Sequence, residues 1–190
     1  MNCISTCQNC NLCQNQKPLL DKQKISDVLW VGLSAKEVEN VNKNIPLSND
    51  TNTGKIIESI ENAFTNIYFY KSNLVKCLPL DDNNKIRYPE KNEMDACFSN
   101  LLLEIEMLNP KIVFLLGNKV GDFVKRKLKN KAFQKSISKK LLNILDSTIF
   151  ETVYHPSYIH IYKSKQKHIY IENIQEKITN LFKEQIKAAS

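Results

Sequence analysis

Cys7, Cys10 and Cys13 stand three residues apart near the start of the chain, with Cys3 just before them. Overlapping CxxC pairs can grip one metal centre from a single turn. One such pair supplies only two thiolates, however, whereas a tetrahedral zinc or a cubane iron–sulfur cluster takes four. Cys77 and Cys97 complete the six cysteines and are the expected partners. The competing reading is a set of free buried thiols, since Cys packs as a small hydrophobe. That reading suits Cys3 alone better than the whole set. Spacing does not separate zinc from iron–sulfur. The other chemistry-bearing residues, Asn73 and His155, follow apolar runs, and what they do depends on the elements that carry them.

Those elements alternate. "DVLWVGLS" (27–34) and "KIVFLLG" (111–117) are short apolar runs closed by or containing glycine, the pattern of buried parallel strands. "NIYFYKSNLV" (66–75) and "STIFETVYHPS" (147–157) read as two more. Between them, apolar residues at helical spacing predict helices over 53–64, from Pro89 to before Asn109, over about 119–129 and 138–145, and along the C-terminal stretch 169–189. Strands alternating with helices predict an α/β fold, a three-layer α/β/α sandwich around a central four-stranded parallel sheet. One domain is expected over 1–190, with 1–24 as a cysteine-rich N-terminal segment. In such sheets the working loops lie at the carboxyl ends of the strands. Here those ends are Gly32-Leu33-Ser34, Ser72-Asn73, Gly117-Asn118 and Tyr154-His155-Pro156-Ser157.

Composition narrows the partners. The chain carries a net charge of +7, with an isoelectric point near 9.0. The excess is clustered: residues 124–140 hold seven Lys and one Arg with no acid, and 162–170 add three Lys and a His. Such clusters are either nucleic-acid footprints or solvated helix faces. No apolar h-region opens the chain and no run of about 18 apolar residues occurs, so neither a signal peptide nor a membrane span is expected. A reducing cytoplasm follows, where cysteines point to metal before disulfides.

Taken together, several stretches carry a resemblance. "CQNCNL", "VLWVG", "SNLVKCLP", "RYPEKNEMDAC", "NPKIVFLLG" and "YHPSYI" resemble, in order and approximate spacing, the iron–sulfur uracil-DNA glycosylases of families 4 and 5, from about Cys7 to Ile161. The resemblance implies a 4Fe–4S cluster held by Cys7, Cys10, Cys77 and Cys97, structural in role, with Cys13 a rival ligand and zinc the alternative. It implies DNA as partner, a monomer, base flipping and hydrolysis of the N-glycosidic bond. Asn73 would read the base edge, and His155 would donate to the base carbonyl and stabilise the leaving anion. Ser157, Tyr158, Ile159 and Ile161 would enter the duplex beside the flipped base, with Lys163 and Lys165 on phosphates. The competing reading packs Tyr158, Ile159 and Ile161 between the last strand and the C-terminal helix.

The departures from that pattern fall in the base pocket, expected around Gly32, Leu33, Ser34, Pro46 and Leu47. The family's first motif reads G-E-x-P-G or G-L-A-P; here it is "GLSAKE" (32–37), with Leu33 in the place of the family 4 acid. Glu37 and Asp50, in the same loop, are the candidates to activate water instead. Leu47 stands where the family's uracil-stacking Phe would be. These changes imply a different base, such as a bulky modified cytosine of the kind carried in some phage DNA. Conventional uracil excision and a catalytically inactive, cluster-bearing DNA-binding protein are the alternatives.

Overall fold

The structure, a computed structural model, describes residues 2–187. In chain order it comprises α1 (Asn2–Ser5), a 3-10 turn (Asn11–Gln14), β1 (Val28–Ser34), α2 (Asn52–Glu61), β2 (Phe69–Val75), α3 (Lys91–Leu108), β3 (Ile112–Leu116), α4 (Asn118–Leu128), α5 (Lys131–Ser136), α6 (Lys139–Ser147), β4 (Ile149–Val153), α7 (Pro156–Tyr162), a second 3-10 turn (Ser164–Gln166), α8 (Lys167–Leu181) and α9 (Lys183–Lys187). The four strands form one all-parallel sheet in the order β2-β1-β3-β4.

The two central strands are the two most apolar runs, because both their faces are covered. Along β1 the side chains alternate. Val28 and Trp30 join Ile56, Ile57 and Ile60 of α2 and Ile174 and Ile178 of α8. There Trp30 stacks on Phe114 of β3, with centroids 4.8 Å apart. Leu29 and Val31 join Phe98, Leu101 and Ile105 of α3, Val120 and Phe123 of α4, and Leu141 and Leu145 of α6. Helices on both faces of the parallel sheet make the expected three layers.

Four local differences from the sequence reading have simple causes. Pro89 lies outside α3: Glu90 caps the helix in a reciprocal capping box with Glu93, so the helix starts at Lys91, two residues later than Pro89 as its first residue would place it. The basic run contains an unexpected short helix, α5, started by Asn130, whose side chain accepts from the backbone N–H of Ala132 and Phe133. The residues after His155 are helical, not a loop. The C-terminal helix is interrupted at Phe182, and its expected end at 188–189 lies outside the described residues.

The N-terminal segment is docked along the outer edge of β2. Leu19 N–H donates to the Lys76 carbonyl (2.8 Å), and Asp21 accepts from Lys71 N–H (2.8 Å). Farther up, Asn15 Nδ2 donates to the Leu78 carbonyl, and Gln16 holds the loop after β1 through Lys36 O and Val38 N. This covering protects a sheet edge and brings the cysteine-rich segment to the loop after β2. Among the described residues no helix is long and apolar enough to cross a membrane.

Candidate active site

Beyond β1 the chain goes to β2 on one side and to β3 on the other. That reversal opens a crevice at the carboxyl ends of the strands, where ligands bind in sheets of this kind. The crevice is a cavity of about 640 Å³, within the ~300–1,000 Å³ range of ligand pockets. Its floor comes from the strand ends: Leu33 and Ser34 of β1, Asn73 of β2, and Leu116, Gly117 and Asn118 around the end of β3. His155, Ser157 and Tyr158 close one side, and Leu47 another.

Asn73 owes its placement to two features. Its cross-strand neighbour is Gly32, where a Cβ would fall 2.3 Å from Asn73 Oδ1. Only a glycine leaves room for the carboxamide there. On the other face of β2, a closed polar network holds the strand. Lys76 and Glu104 are wholly buried, and Lys76 Nζ donates to Glu104 Oε2, Ser72 Oγ and the Asn73 carbonyl, each at 2.6 Å. Ser72 and Tyr70 hydroxyls also donate to the Glu104 carboxylate. Asn73 itself is 3% exposed, and among the described residues its carboxamide has no hydrogen-bond partner. Buried polar groups are normally paired. An unpaired carboxamide at the floor of a cavity is a donor and an acceptor held ready for a ligand.

His155 caps the N-terminus of α7. Its Nδ1 accepts from the Ser157 backbone N–H (3.2 Å) and lies 2.7 Å from Ser157 Oγ. An Nδ1 that accepts from a backbone N–H carries no proton, so the neutral ring has its hydrogen on Nε2. Burial also holds the pKa of His155 below its usual value. The result is a neutral imidazole with one N–H donor left over.

Leu47 holds its place under strain. Its φ of 51° lies in the left-handed region, which costs a non-glycine residue about 1–2 kcal/mol. The following turn is fixed against α2, where Gly54 passes so close that a Cβ would fall 1.9 Å from the Ser48 carbonyl. Leu47 Cδ2 reaches the space above Gly32, so an aliphatic side chain occupies the place expected for a stacking ring. Pro46 is buried behind it.

Three placements correct the sequence reading. Glu37 is exposed and not on the cavity. Asp50 is exposed too; its carboxylate is 3.3 Å from Lys36 Nζ and titrates low, first through a hydrogen bond from Ser48 and then through Lys36. The loop carries both away from the cavity, and no carboxylate lines the cavity among the described residues. Ile159 is 2% exposed, because the pitch of α7 turns it into the core beside α2 and α8. It offers nothing to DNA.

A further wall comes from the loop after Cys77. A tight turn at Asp81–Lys85 and the bridge Leu80–Ile86 fold the loop after Cys77 back on itself. The Arg87 guanidinium meets the Glu93 carboxylate with two short bonds, 2.6 and 2.8 Å, and holds that carboxyl below its usual range. Ile86, Arg87 and Tyr88 thereby face the cavity, and Lys119 Nζ lies 3.4 Å from the Tyr88 ring centroid.

The cysteines gather behind the same loop. Cys77 and Cys97 are buried, and Cys10 and Cys13 pack against the same core cluster. Asn100 Nδ2 donates to Cys7 Sγ (3.2 Å) and Cys97 Sγ (3.7 Å), and Lys76 N–H donates to Cys97 Sγ (3.4 Å). Burial pushes the Cys77 thiol up, and the neighbouring sulfurs of Cys97, Cys10, Cys13 and Cys7 add to it. Cys13 turns its thiol to the Cys10 carbonyl. Donors aimed at sulfur suit thiolate ligands of a cluster. Among the described residues no group of three His, Cys, Asp or Glu side chains is arranged around a single metal ion.

Comparison with known proteins adds the context. The family model of the uracil-DNA glycosylase superfamily matches residues 18–179. No curated protein matches the chain. Among solved structures, the crystal structure of wild-type SMUG2 from Pedobacter heparinus is similar, with a TM-score of 0.59 and 17% identity over 83% of this chain and 76% of that one. At that identity the likeness is one of fold.

Proposed function

The chain belongs to the uracil-DNA glycosylase superfamily, and on that footing we propose that it is a monofunctional DNA glycosylase that excises a non-standard pyrimidine bulkier than uracil. The observation that carries this reading is the pair Asn73 and His155: an unpaired carboxamide and a neutral imidazole N–H on one cavity at the strand ends. A target base flipped into the cavity meets Asn73 on its edge and His155 Nε2–H at a carbonyl oxygen. The C1′–N bond breaks, its electron pair stays with the base, and the N–H stabilises the resulting anion. Water adds to the sugar cation at C1′ and loses a proton, leaving an abasic site and the free base. No cavity carboxylate supports general-base activation of that water, so charge stabilisation on the leaving base is the main catalytic lever.

Two features favour a bulky base. The cavity is roomy and open beside Tyr88 and Lys119, and Leu47 supplies no stacking ring. A modified cytosine, with a substituent reaching toward Lys119, fits that description. Conventional uracil excision stays as the second reading because the Asn73 carboxamide suits the uracil edge equally well.

The cysteines would hold a 4Fe–4S cluster through Cys7, Cys10, Cys77 and Cys97, with Asn100 and the Lys76 N–H serving their sulfurs. When bound it would supply rigidity, tying the N-terminal segment to the loop that carries Tyr88.

The test is base release by anaerobically purified protein. Uracil-containing oligonucleotides and phage DNAs with hypermodified pyrimidines are incubated in parallel, and freed bases are identified by mass spectrometry. A freed modified base supports the reading, and free uracil alone moves it to conventional repair. No freed base, with DNA still bound, leaves a DNA-binding protein. Iron and acid-labile sulfide analysis of the same preparation tests the cluster; zinc without iron sinks it.

A further inference from the structure

Lys119 stands where a helix least favours it. It lies in the first turn of α4, at the positive end of the helix dipole, and that turn holds no acid. Among the described residues its ammonium has no carboxylate partner; its contact is the Tyr88 ring, with Nζ 3.4 Å from the centroid. Tyr88 is fixed in turn by its neighbour. Arg87, paired with Glu93, also donates from Nη1 to the Tyr88 carbonyl (3.0 Å). The ring seats the cation by a cation–π contact, which leaves its N–H donors without an oxygen acceptor.

Both residues face the cavity, and the charge on that cavity is one-sided. Arg87 is offset by Glu93, and the His155 ring is neutral. No carboxylate lines the walls, so among the described residues Lys119 is the one uncompensated charge there. Its place across the sheet also matters. Asn73 lies near the carboxyl end of β2 and Lys119 follows β3, with β1 between them. Two strand spacings put them roughly 10 Å apart. A bare pyrimidine ring does not span that distance, whereas a pyrimidine with a substituent does. With the base edge on Asn73, a carbonyl on His155 and N1 on the sugar, C5 is the position from which a substituent can extend.

We propose that Lys119 is a charge filter on the base: the cavity takes a pyrimidine whose C5 substituent ends in oxygen acceptors, an anion best of all, and rejects one that ends in an ammonium group. An acceptor takes the free N–H donors of Lys119 in a charge-assisted hydrogen bond. A cationic substituent meets a like charge with no carboxylate to offset it, and such a repulsive element is what turns binding into discrimination. The proposal rests on the glycosylase reading for its base and narrows that reading to one charge class of substituent.

The experiment is fluorescence anisotropy of the full chain with labelled duplexes that each carry one 5-carboxyl-, 5-hydroxymethyl- or 5-aminomethylcytosine. The modified nucleotide has a 2′-fluoroarabinose sugar, whose fluorine destabilises the sugar cation and keeps the base in place during the measurement. The wild type is expected to bind the carboxyl duplex most tightly and the aminomethyl duplex at least roughly tenfold more weakly, the scale of one hydrogen bond to a charged group. Lys119→Met is expected to bring the three together, and Lys119→Glu, which suits the helix dipole, to invert their order. Equal binding of the three duplexes by the wild type overturns the proposal. So does equal weakening of all three by Lys119→Met, as a phosphate contact would give, or binding of all three no tighter than an unmodified duplex. Base release from the same sequences on ordinary deoxyribose, read by mass spectrometry, separates the two readings. Discrimination in binding without release keeps the filter and removes the glycosylase. Release of all three bases at one rate, with equal binding, does the reverse.

Discussion

The two faces of strand β2 treat polar groups in opposite ways. On the α3 face, Lys76, Glu104, Ser72 and Tyr70 form a network with bonds of 2.6 to 3.2 Å, its charged pair wholly buried. On the other face, one residue away, Asn73 is almost as buried, yet its carboxamide is unpaired and opens on the cavity. The first arrangement is closed and serves the fold. The second opens on the cavity, where its amide atoms are within reach of solvent and of a ligand. Satisfaction, not burial, is what separates scaffold from site here.

Breaking the closed side is expected to have the largest effect. Lys76→Met leaves the Glu104 carboxylate buried and unpaired, and such losses destabilise by roughly 3–5 kcal/mol. Replacing both partners, Lys76→Met with Glu104→Leu, removes the orphaned charge and is expected to recover most of that loss in a urea unfolding curve. If the single and double variants are equally unstable, the network does not act as a pair. On the open side, His155→Ala is expected to lower stability by only about 1 kcal/mol, the usual cost of a lost helix cap, and to slow base release by roughly 10²–10³-fold, the usual cost of one such donor. Unaltered turnover would remove His155 from the chemistry.

The two sides meet at Gly32, and that makes a sharper test. Gly32→Ala places a methyl 2.3 Å from Asn73 Oδ1, so the carboxamide must move, while the strand stays paired. Displacement of a positioned group by about 1 Å can cost up to roughly 10²-fold. We expect a loss of base release of roughly 10- to 100-fold, below that of His155→Ala, with a shift of the Asn73 side-chain amide resonances. Full activity with a shifted resonance would show that Asn73 does not read the base.

How much of this was legible depends on what each residue answers to. Gly32, Asn73, Gly117 and His155 were readable because a parallel sheet delivers its strand ends to one edge, and the apolar runs mark those ends. Glu37 and Asp50 were misplaced because a loop's path depends on contacts such as Lys36–Asp50 that no periodicity encodes. Ile159 follows the competing reading, core packing, because the stretch after His155 is a helix whose pitch buries it and exposes Tyr158 and Tyr162. The four-residue spacing of Tyr154, Tyr158 and Tyr162 was a visible signal for that helix face. Glu104 was hidden inside "LLLEIEML", where nothing separates it from the nearby Glu106 or hints at the lysine 28 residues earlier. The lysine-rich run 124–140 shows the limit of charge counting. Its helix α4 starts at the cavity but puts Lys125, Arg126 and Lys127 in its last turn, where they favour the helix dipole. Residues 162–170, similar in composition, put Lys163 against the Tyr154 and Tyr158 rings.

The smallest expected effect concerns the proton on His155, and it tests the open side most finely. The neutral ring accepts from Ser157 N–H at Nδ1, and protonation would turn that contact into two opposed donors. Burial lowers the folded pKa below the ordinary imidazole value of about 6.5. The unfolded chain therefore takes up this proton first as pH falls. Stability that is independent of His155 well above pH 6.5 should decline as pH drops from 6.5 through the folded pKa, and level off below it. Comparison of urea midpoints for the wild type and His155→Asn across that range isolates the contribution, which vanishes at the alkaline end. Base release should follow the same group: flat from neutral pH down past 6.5, then falling as the Nδ1 acceptor is lost. A decline that begins above 6.5 would mean the folded ring holds its proton more tightly than the free one, and the neutral donor on the cavity would have to be abandoned.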